Sequence, residues 1–138
     1  MIAHQASCVA LGGRAVLIEG APGMGKSSLA LALIEGGAVL VGDDSLLLEP
    51  RGEALFAHPH PNTKGLLEVR NLGLLPYPVC AAARVALVIT LSEAAPRYIE
   101  QAPTTPRAGI ALPHITLWPH SPVLAARARA ALAHHGLK

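Results

Sequence analysis

The stretch Gly20-Ala-Pro-Gly-Met-Gly-Lys-Ser27 matches the pattern G-x-x-x-x-G-K-[ST], which is typical of a glycine-rich loop that holds phosphate groups. It lies where such a loop must lie, between the apolar run 15–18 and the helix-forming run 26–35, which ends at two glycines. Glycines let successive backbone N–H groups point inward, and the positive end of the following helix adds to their attraction for phosphate. The stretch therefore predicts a strand, a phosphate-binding loop and a helix in direct succession.

From this loop we predict that the chain binds a nucleoside triphosphate. Lys26 is expected to reach the β- and γ-phosphates, and Ser27 is expected to ligate Mg²⁺. The residues predicted to bind the nucleotide are Gly20, Ala21, Pro22, Gly23, Met24, Gly25, Lys26, Ser27 and Ser28.

Two neighbouring carboxylates, Asp43 and Asp44, follow the short apolar run 38–41. This run predicts a strand, and the ends of strands are where ligands collect in open α/β sheets. One carboxylate can hold the metal while the other accepts or positions a proton from an attacking hydroxyl. The alternative is that Asp44 only caps the turn that leads into Leu46.

The runs on both sides of the loop predict an α/β fold, with a mixed β-sheet core and flanking helices. Residues 3–11 and 15–18 are joined by Gly12-Gly13, which predicts an antiparallel hairpin. The continuous aliphatic run 83–91 predicts a central strand, and residues 66–75 alternate between apolar and polar side chains.

The remaining segments carry less regular signals. Residues 49–64 hold three prolines and two histidines, which predicts a mobile excursion around short strands. Residues 94–113 hold four prolines and little periodicity, and only 115–117 predicts one more short strand. A C-terminal helix is predicted over about 123–135, with Ser121 as its N-cap and Gly136 at its end.

The composition is that of one folded domain built on aliphatic side chains. Of the 138 residues, 51% are hydrophobic and 14% are charged, which argues against a disordered chain or a coiled coil. Aromatic residues make up 3% and the net charge is +2, so the sequence offers neither the rings nor the basic patch of a nucleic-acid module. We predict a single domain over 1–138 with no nucleic-acid partner.

The number and spacing of the cysteines and the hydropathy of the chain indicate the cellular compartment. The two cysteines, Cys8 and Cys80, form no C-x-x-C pair, so neither a disulfide framework nor a zinc site is indicated. No apolar run approaches the ~20 residues that a membrane helix requires, and no basic segment leads into a signal-like core. These features predict a cytoplasmic protein with no membrane partner.

Four segments, in this order, resemble the catalytic domain of the bacterial HPr kinase/phosphorylase family. They are His4 with Cys8-Val-Ala-Leu11, the loop GAPGMGKSS, Leu40-Val-Gly-Asp-Asp44 and Lys64-Gly-Leu-Leu-Glu-Val-Arg70. The loop alone is common to many enzymes, but the double Asp and the GLLEVR segment at this spacing make the resemblance far more specific. A weaker match runs from Ala83 through Arg97 to Pro113.

The resemblance implies a kinase with ATP and Mg²⁺ that phosphorylates a serine of HPr, the small phosphocarrier of the sugar or nitrogen phosphotransferase system. It implies that Asp44 is the proton acceptor, that Asp43 assists, and that Arg70 lies nearby. Carried over onto this sequence, the catalytic residues are His4, Lys26, Asp43, Asp44 and Arg97, and the metal ligands are Ser27, Asp43 and Glu68.

The sequence also departs from the family pattern. Asn71 stands where the family usually has glycine, and the late Pro-Gly-Arg-Asn stretch associated with dephosphorylation has no counterpart in residues 117–122. Met1 falls only a few residues before His4, so we expect the separate N-terminal domain to be absent. We therefore expect a short form with kinase activity and without the phosphorylase reaction.

Two other functions stay open at this point: a non-catalytic module that senses ATP or ADP, and a kinase of a small hydroxylated metabolite. The oligomeric state also stays open. The preferred base of the nucleotide stays open because a phosphate-binding loop contacts only the phosphates.

Overall fold

Aliphatic strands build one large mixed sheet, and two helices pack on it. The computed structural model describes all residues, 1–138, and the strands form a nine-stranded and a two-stranded sheet. In chain order the elements are β1 (Ile2–His4), β2 (Ser7–Leu11), β3 (Arg14–Gly20), α1 (Lys26–Glu35), β4 (Val39–Gly42), β5 (Leu46–Arg51), β6 (Ala54–Pro59), β7 (Leu66–Val69), β8 (Gly73–Pro76), β9 (Ala83–Leu91), β10 (Thr104–Arg107), β11 (Ile110–Leu117) and α2 (Leu124–His135). Neither helix is long and apolar enough to cross a membrane.

Strand β9 lies at the centre of the large sheet, as its aliphatic run predicts. It pairs in parallel with β3 on one side. Its other side pairs with β6 near its start and, in parallel, with β11 near its end. Beyond β3 come β2 and then β4, each antiparallel to its neighbour. The parallel strands β3, β9 and β11 therefore end at one common edge, and the loop 21–25 begins there.

The sheet buries both of its faces, and each face has its own core. One core lies between the sheet and both helices, where Leu29 and Leu33 of α1 and Leu132 of α2 pack against residues such as Ile18 and Ile89. The core of the opposite face takes its buried residues from the strands and the segments beside them, among them Leu17, Val88, Leu46, Leu55 and Leu112. The predicted α/β fold with a mixed sheet is confirmed.

The predicted hairpin around Gly12-Gly13 is confirmed as β2 and β3. Leu11 pairs with Arg14, and both glycines have positive φ, +57° and +82°, as a two-residue turn of this kind requires. The preceding residues do not continue β2. They form the separate strand β1, which pairs with β5, so His4 lies opposite Leu46.

Residues 49–64 were predicted as a mobile excursion around short strands; short strands are present, but they are part of the large sheet and its core, so the prediction of an excursion was wrong for most of this length. β5 and β6 form an antiparallel hairpin, and Leu55 and Ala57 of β6 are fully buried. Proline signals a turn locally, but Pro50 lies beyond the residues of β5 that pair with β1, where β5 has a partner on one side only. Proline is tolerated at such positions, since no second ladder needs its missing N–H.

Three other segments complete the fold, and the last of them, the C-terminal helix, lies where it was predicted. The alternating residues 66–75 form most of a hairpin, β7 and β8, whose turn contains Asn71. The proline-rich segment 94–113 contains β10, and its partner β11 is longer than the predicted 115–117. The last helix begins at Leu124 with Val123 as N-cap, so Ser121 is not the cap, although its Oγ accepts a hydrogen bond from Val123 N at 3.1 Å.

We expect Leu55→Ala to lower the free energy of unfolding by about 2 to 5 kcal/mol, because it removes a fully buried side chain from the sheet core. Leu72→Ala is the matched control, since Leu72 is 69% exposed and its loss should change stability by about 0.5 kcal/mol or less. Urea unfolding measures both. Equal, small changes would mean that β6 is not part of the core.

Candidate active site

The glycine-rich loop connects β3 to α1 at the common edge of the parallel strands. Gly20, the last residue of β3, has φ +147°, and a Cβ there would lie 2.8 Å from the carbonyl oxygen of Leu91. Only glycine allows this approach, so the start of the loop packs directly against the end of β9. The loop then turns into α1 at Gly25, its N-cap.

The start of α1 presents backbone N–H groups to a polar cavity. No side chain caps the helix, and no acidic residue lies in its first turn. Gly25, Lys26, Ser27 and Ser28 all line the cavity. The first N–H groups of a helix have no partner within it and carry its partial positive charge, so this end of α1 suits an anion.

Lys26 folds back over the loop. Its Nζ donates hydrogen bonds to the carbonyl oxygens of Gly20, at 2.7 Å, and Ala21, at 3.3 Å. These contacts hold the ammonium group beside the N–H groups at the start of α1, where it adds to their positive charge.

Asp43 is buried and joins four parts of the chain. Its Oδ1 accepts hydrogen bonds from Ser7 Oγ and Ser27 Oγ, both at 2.7 Å. Its Oδ2 accepts one from the backbone N–H of Glu68 at 2.9 Å. The carboxylate at the end of β4 thereby fixes the start of β2, the first turn of α1 and strand β7 relative to one another.

Asp44 has very different surroundings, although it is the next residue. Its φ is +64°, a left-handed conformation that Asp tolerates better than most residues, and its side chain is exposed. Its one hydrogen bond is a long one, 3.4 Å, from Gln5 Nε2. The two adjacent carboxylates therefore differ: Asp43 is held by three hydrogen-bond donors, and Asp44 is accessible from the cavity.

Glu68 and Arg70 approach the cavity from the β7–β8 hairpin. They alternate with the buried Leu67 and Val69, so both lie on the exposed side of β7. Asn71 follows with φ +74°, a left-handed conformation that Gly and Asn adopt more readily than other residues.

The cavity has a volume of about 260 Å³, and none of the residues that line it is hydrophobic. Six residues of the predicted phosphate-binding loop line it together with Asp43, Asp44, Glu68 and Arg70, and Gln5 and Ser7 complete the lining. The lining residues are Gln5, Ser7, Pro22, Gly23, Gly25, Lys26, Ser27, Ser28, Asp43, Asp44, Glu68 and Arg70. Gly20, Ala21 and Met24 belong to the loop but do not line the cavity.

His4 lies outside this cavity, in a second polar cluster that the sequence analysis missed. Its Nε2 lies 2.7 Å from Glu19 Oε2, and Arg107 Nη2 and Nε donate to the two oxygens of Glu19 at 2.6 and 3.0 Å. His114 stands nearby, with its Nε2 2.8 Å from Thr90 Oγ1. The one sequence feature that could have indicated this cluster is Glu19, a charged residue in an aliphatic strand directly before the loop.

The pKa values of this cluster follow from burial and from the ion pairs. Burial alone would raise the pKa of Glu19, but the hydrogen bonds from His4 and Arg107 outweigh it and lower the pKa from 4.5 to about 2. Burial and the neighbouring Arg107 lower the pKa of His114. Glu19 is therefore ionised over the whole range in which the protein is expected to work.

Arg97 also lies apart from the cavity. It lines a separate groove with Trp118 and Arg127, on the far side of β9 from Asp43.

These features define an α/β domain in which a glycine-rich loop and three acidic residues share one polar cavity. A family model described as the HPr Serine kinase C-terminal domain matches residues 1–101, which is more than half of the chain. The chain therefore belongs to this family, and the resemblance drawn from the four sequence segments is confirmed.

Individual relatives match a shorter part. The HPr kinase/phosphorylase of Mycoplasmopsis pulmonis is 43% identical over 67 residues, which are 49% of this chain and 22% of that protein. The HPr kinase/phosphorylase of Shouchella clausii is 44% identical over 64 residues, 46% of this chain and 21% of that protein. The matched segment thus spans about a fifth of the length of these relatives.

One solved structure matches almost the whole fold. The HPr(Ser) kinase/phosphatase from Coxiella burnetii has a TM-score of 0.85, and the match covers 96% of this chain and 95% of that chain at 25% identity. The late strands and α2, which the family model does not reach, are therefore also part of the shared architecture.

We expect Asp43→Asn and Asp44→Asn to differ sharply in stability. The first puts an amide NH₂ among three donors, one of them the buried Ser7 hydroxyl, and should lower the free energy of unfolding by about 1 to 3 kcal/mol. The second changes an exposed group and should cost about 0.5 kcal/mol or less. Urea unfolding of the two variants is the test. Similar losses in the free energy of unfolding would show that Asp43 is no more important to the fold than Asp44.

Glu19→Gln should make stability less dependent on pH in acid. Because the pKa of Glu19 is lower in the folded than in the unfolded chain, its contribution is complete above about pH 5 and is lost as the pH falls toward 2. With allowance for solvent screening, we expect a loss of about 1 to 2 kcal/mol at pH 7 and a smaller loss at pH 3. Glu53→Gln, in an exposed turn, is the control. A loss of the same size at both pH values would contradict the ion-pair account.

Proposed function

We propose that this domain is an ATP-dependent protein-serine kinase that acts in the cytoplasm on an HPr-type phosphocarrier. The observation that carries the proposal is the single cavity in which the start of α1, the hydrogen-bonded Asp43 and the exposed carboxylate of Asp44 meet. Membership of the HPr serine kinase family supports it, as do the names of the matched relatives, HPr kinase/phosphorylase.

The loop residues bind the phosphates of ATP in this proposal. The N–H groups of Lys26, Ser27 and Ser28 point at the phosphate oxygens, and the ammonium group of Lys26 exchanges its contacts with the loop carbonyls for stronger, charge-assisted ones. The phosphates thus gain a rigid set of donors that the sheet and α1 hold in place.

Mg²⁺ fits the oxygen donors of Ser27, Asp43 and Glu68. Magnesium is a hard cation that is usually held by one or two carboxylates together with waters and phosphate oxygens. The three protein donors leave the other positions around the ion to waters and phosphate oxygens, so we propose that the metal binds together with the nucleotide, and when bound it would neutralise charge on the phosphates.

Asp44 acts as the base. Its carboxylate accepts the proton of the serine hydroxyl while the hydroxyl oxygen forms a bond to the γ-phosphorus and the bond to ADP breaks. Arg70, on the same side of the cavity as Glu68, stabilises the negative charge of the phosphoryl group during transfer. Asp43 also positions Ser27 and β7, because its carboxylate accepts hydrogen bonds from Ser27 Oγ and from the backbone N–H of Glu68.

His4 serves a positioning role in this proposal. It contacts Glu19, the residue directly before Gly20, so it supports the root of the loop rather than the reacting atoms. The proposal covers transfer from ATP to HPr and does not include the reverse reaction.

Asp44→Asn should lower the rate of HPr phosphorylation by about 10² to 10⁴ and leave the affinity for ATP almost unchanged, because it removes the base and no phosphate ligand. The measurement is phosphoserine formation on HPr with ATP and Mg²⁺, followed by mass spectrometry. Glu53→Gln is the control and should keep full activity.

Three outcomes would contradict this proposal. Wild-type protein that binds ATP but forms no phosphoserine would favour the nucleotide-sensing module. Transfer to a small hydroxylated metabolite and not to HPr would favour a metabolite kinase. Equal loss of ATP binding and transfer in Asp44→Asn would show that Asp44 is not the base.

A further inference from the structure

A groove separate from the catalytic cavity lies beside the ends of β9 and β11. Its walls come from the segment after β9, the last residues of β11 and the first half of α2, and its volume is about 470 Å³. The side chains that matter here are Arg97, Thr116, Trp118 and Arg127. The proposed function above uses none of them.

The groove lies within reach of a nucleotide whose phosphates occupy the loop. Gly20 at the end of β3 pairs with Leu91 of β9, and Leu91 pairs in turn with Leu117 of β11. Adjacent strands lie about 4.8 Å apart, so the root of the loop and the end of β11 are separated by about 10 Å. A ribose and base can bridge this distance.

The groove and the catalytic cavity lie on opposite sides of the loop. Asp43 follows β4 and Ser7 begins β2, and both strands lie on one side of β3 in the sheet. Strands β9 and β11 lie on the other side. A triphosphate whose terminal group faces Asp44 therefore directs its nucleoside end toward β9 and β11.

The side chains of the groove suit a flat aromatic ligand. Trp118 is 45% exposed, and His120 holds the indole in an edge-to-face contact with a centroid distance of 5.1 Å. The guanidinium groups of Arg97 and Arg127 are exposed and form neither an ion pair nor a hydrogen bond within the chain. Indole and guanidinium planes are the groups on which nucleobases stack.

We propose that this groove is the subsite for the base of the nucleotide, with Trp118 and Arg97 as the stacking groups and Arg127 at its wall. The inference rests on the proposed function, because it requires that the loop bind a nucleoside triphosphate. Stacking on a ring or a guanidinium accepts every base, since every base has a π-face. The subsite therefore contributes affinity and confers little discrimination between adenine and guanine.

Trp118 is the only tryptophan of the chain, so its fluorescence reports directly on the groove. We expect ATP with Mg²⁺ to change the emission of the wild-type protein. Tripolyphosphate with Mg²⁺, which has the phosphates and no base, should bind and leave the emission unchanged. An equal change with both ligands, or no change with ATP at a concentration that saturates the protein by calorimetry, would overturn the proposal.

The affinity of variants for ATP and for tripolyphosphate tests the same subsite. We expect Arg97→Ala and Trp118→Ala each to weaken ATP binding about tenfold in calorimetry and to leave tripolyphosphate binding unchanged. Arg84→Ala is the matched control, because Arg84 is an exposed arginine at the opposite end of β9. Circular dichroism melts verify that each variant is folded.

The outcomes separate this inference from the proposed function. Unchanged ATP affinity in both variants, or equal losses for ATP and tripolyphosphate, would overturn the base subsite and leave the kinase proposal standing. Failure of the wild-type protein to bind either ligand would overturn both.

Discussion

The buried carboxylate of Asp43 is the interaction on which the arrangement of the site depends. Its two oxygens accept hydrogen bonds from β2, α1 and β7, three elements that come from distant parts of the chain. A buried carboxylate costs free energy unless hydrogen-bond donors satisfy it, so each of these donors stabilises the folded domain. The same bonds place the hydroxyl of Ser27 and the strand of Glu68 at the cavity, which couples the stability of the fold to the geometry of the site.

The close packing of the loop against the sheet adds a second constraint. Gly20 allows β3 to approach the carbonyl group of Leu91, and Glu19 beside it is clamped by His4 and Arg107. The root of the loop is therefore held on one side by backbone packing and on the other by an ion pair. Pre-organised donors of this kind lose little entropy when an anion binds, because they are already oriented.

Much of the fold could be predicted from local sequence signals. The glycine pair at 12–13 specified a two-residue hairpin, and the aliphatic run of β9 specified a strand buried on both faces. The loop pattern 20–27 specified its own strand and helix. The hairpin β5–β6 and strand β10 could not be predicted, because their prolines signal turns locally, and only the sheet order reveals that their neighbours leave one side unpaired. The last helix begins at Leu124, within one residue of the predicted start, and only its cap was wrong, because Ser121 Oγ accepts a hydrogen bond from Val123 N before the helix begins.

The sequence predicted those residues of the site that follow a motif, and it did not predict the contacts between residues that are far apart in the chain. Lys26, Ser27, Asp43 and Asp44 are close in sequence to the loop, and they share the cavity. No local pattern connects Glu19 with Arg107, which lies 88 residues further along the chain. Likewise, nothing in the sequence around Arg97 shows that it faces Trp118 rather than the phosphates.

A crystal structure with Mg²⁺ and a non-hydrolysable ATP analogue tests the central claim most directly, namely that the loop, Asp43 and Asp44 form one phosphoryl-transfer site. The account predicts phosphates along residues 20–28, a metal ion beside Ser27 and a terminal phosphate that faces Asp44. Phosphates bound outside the loop, or a terminal phosphate directed away from Asp44, would contradict it.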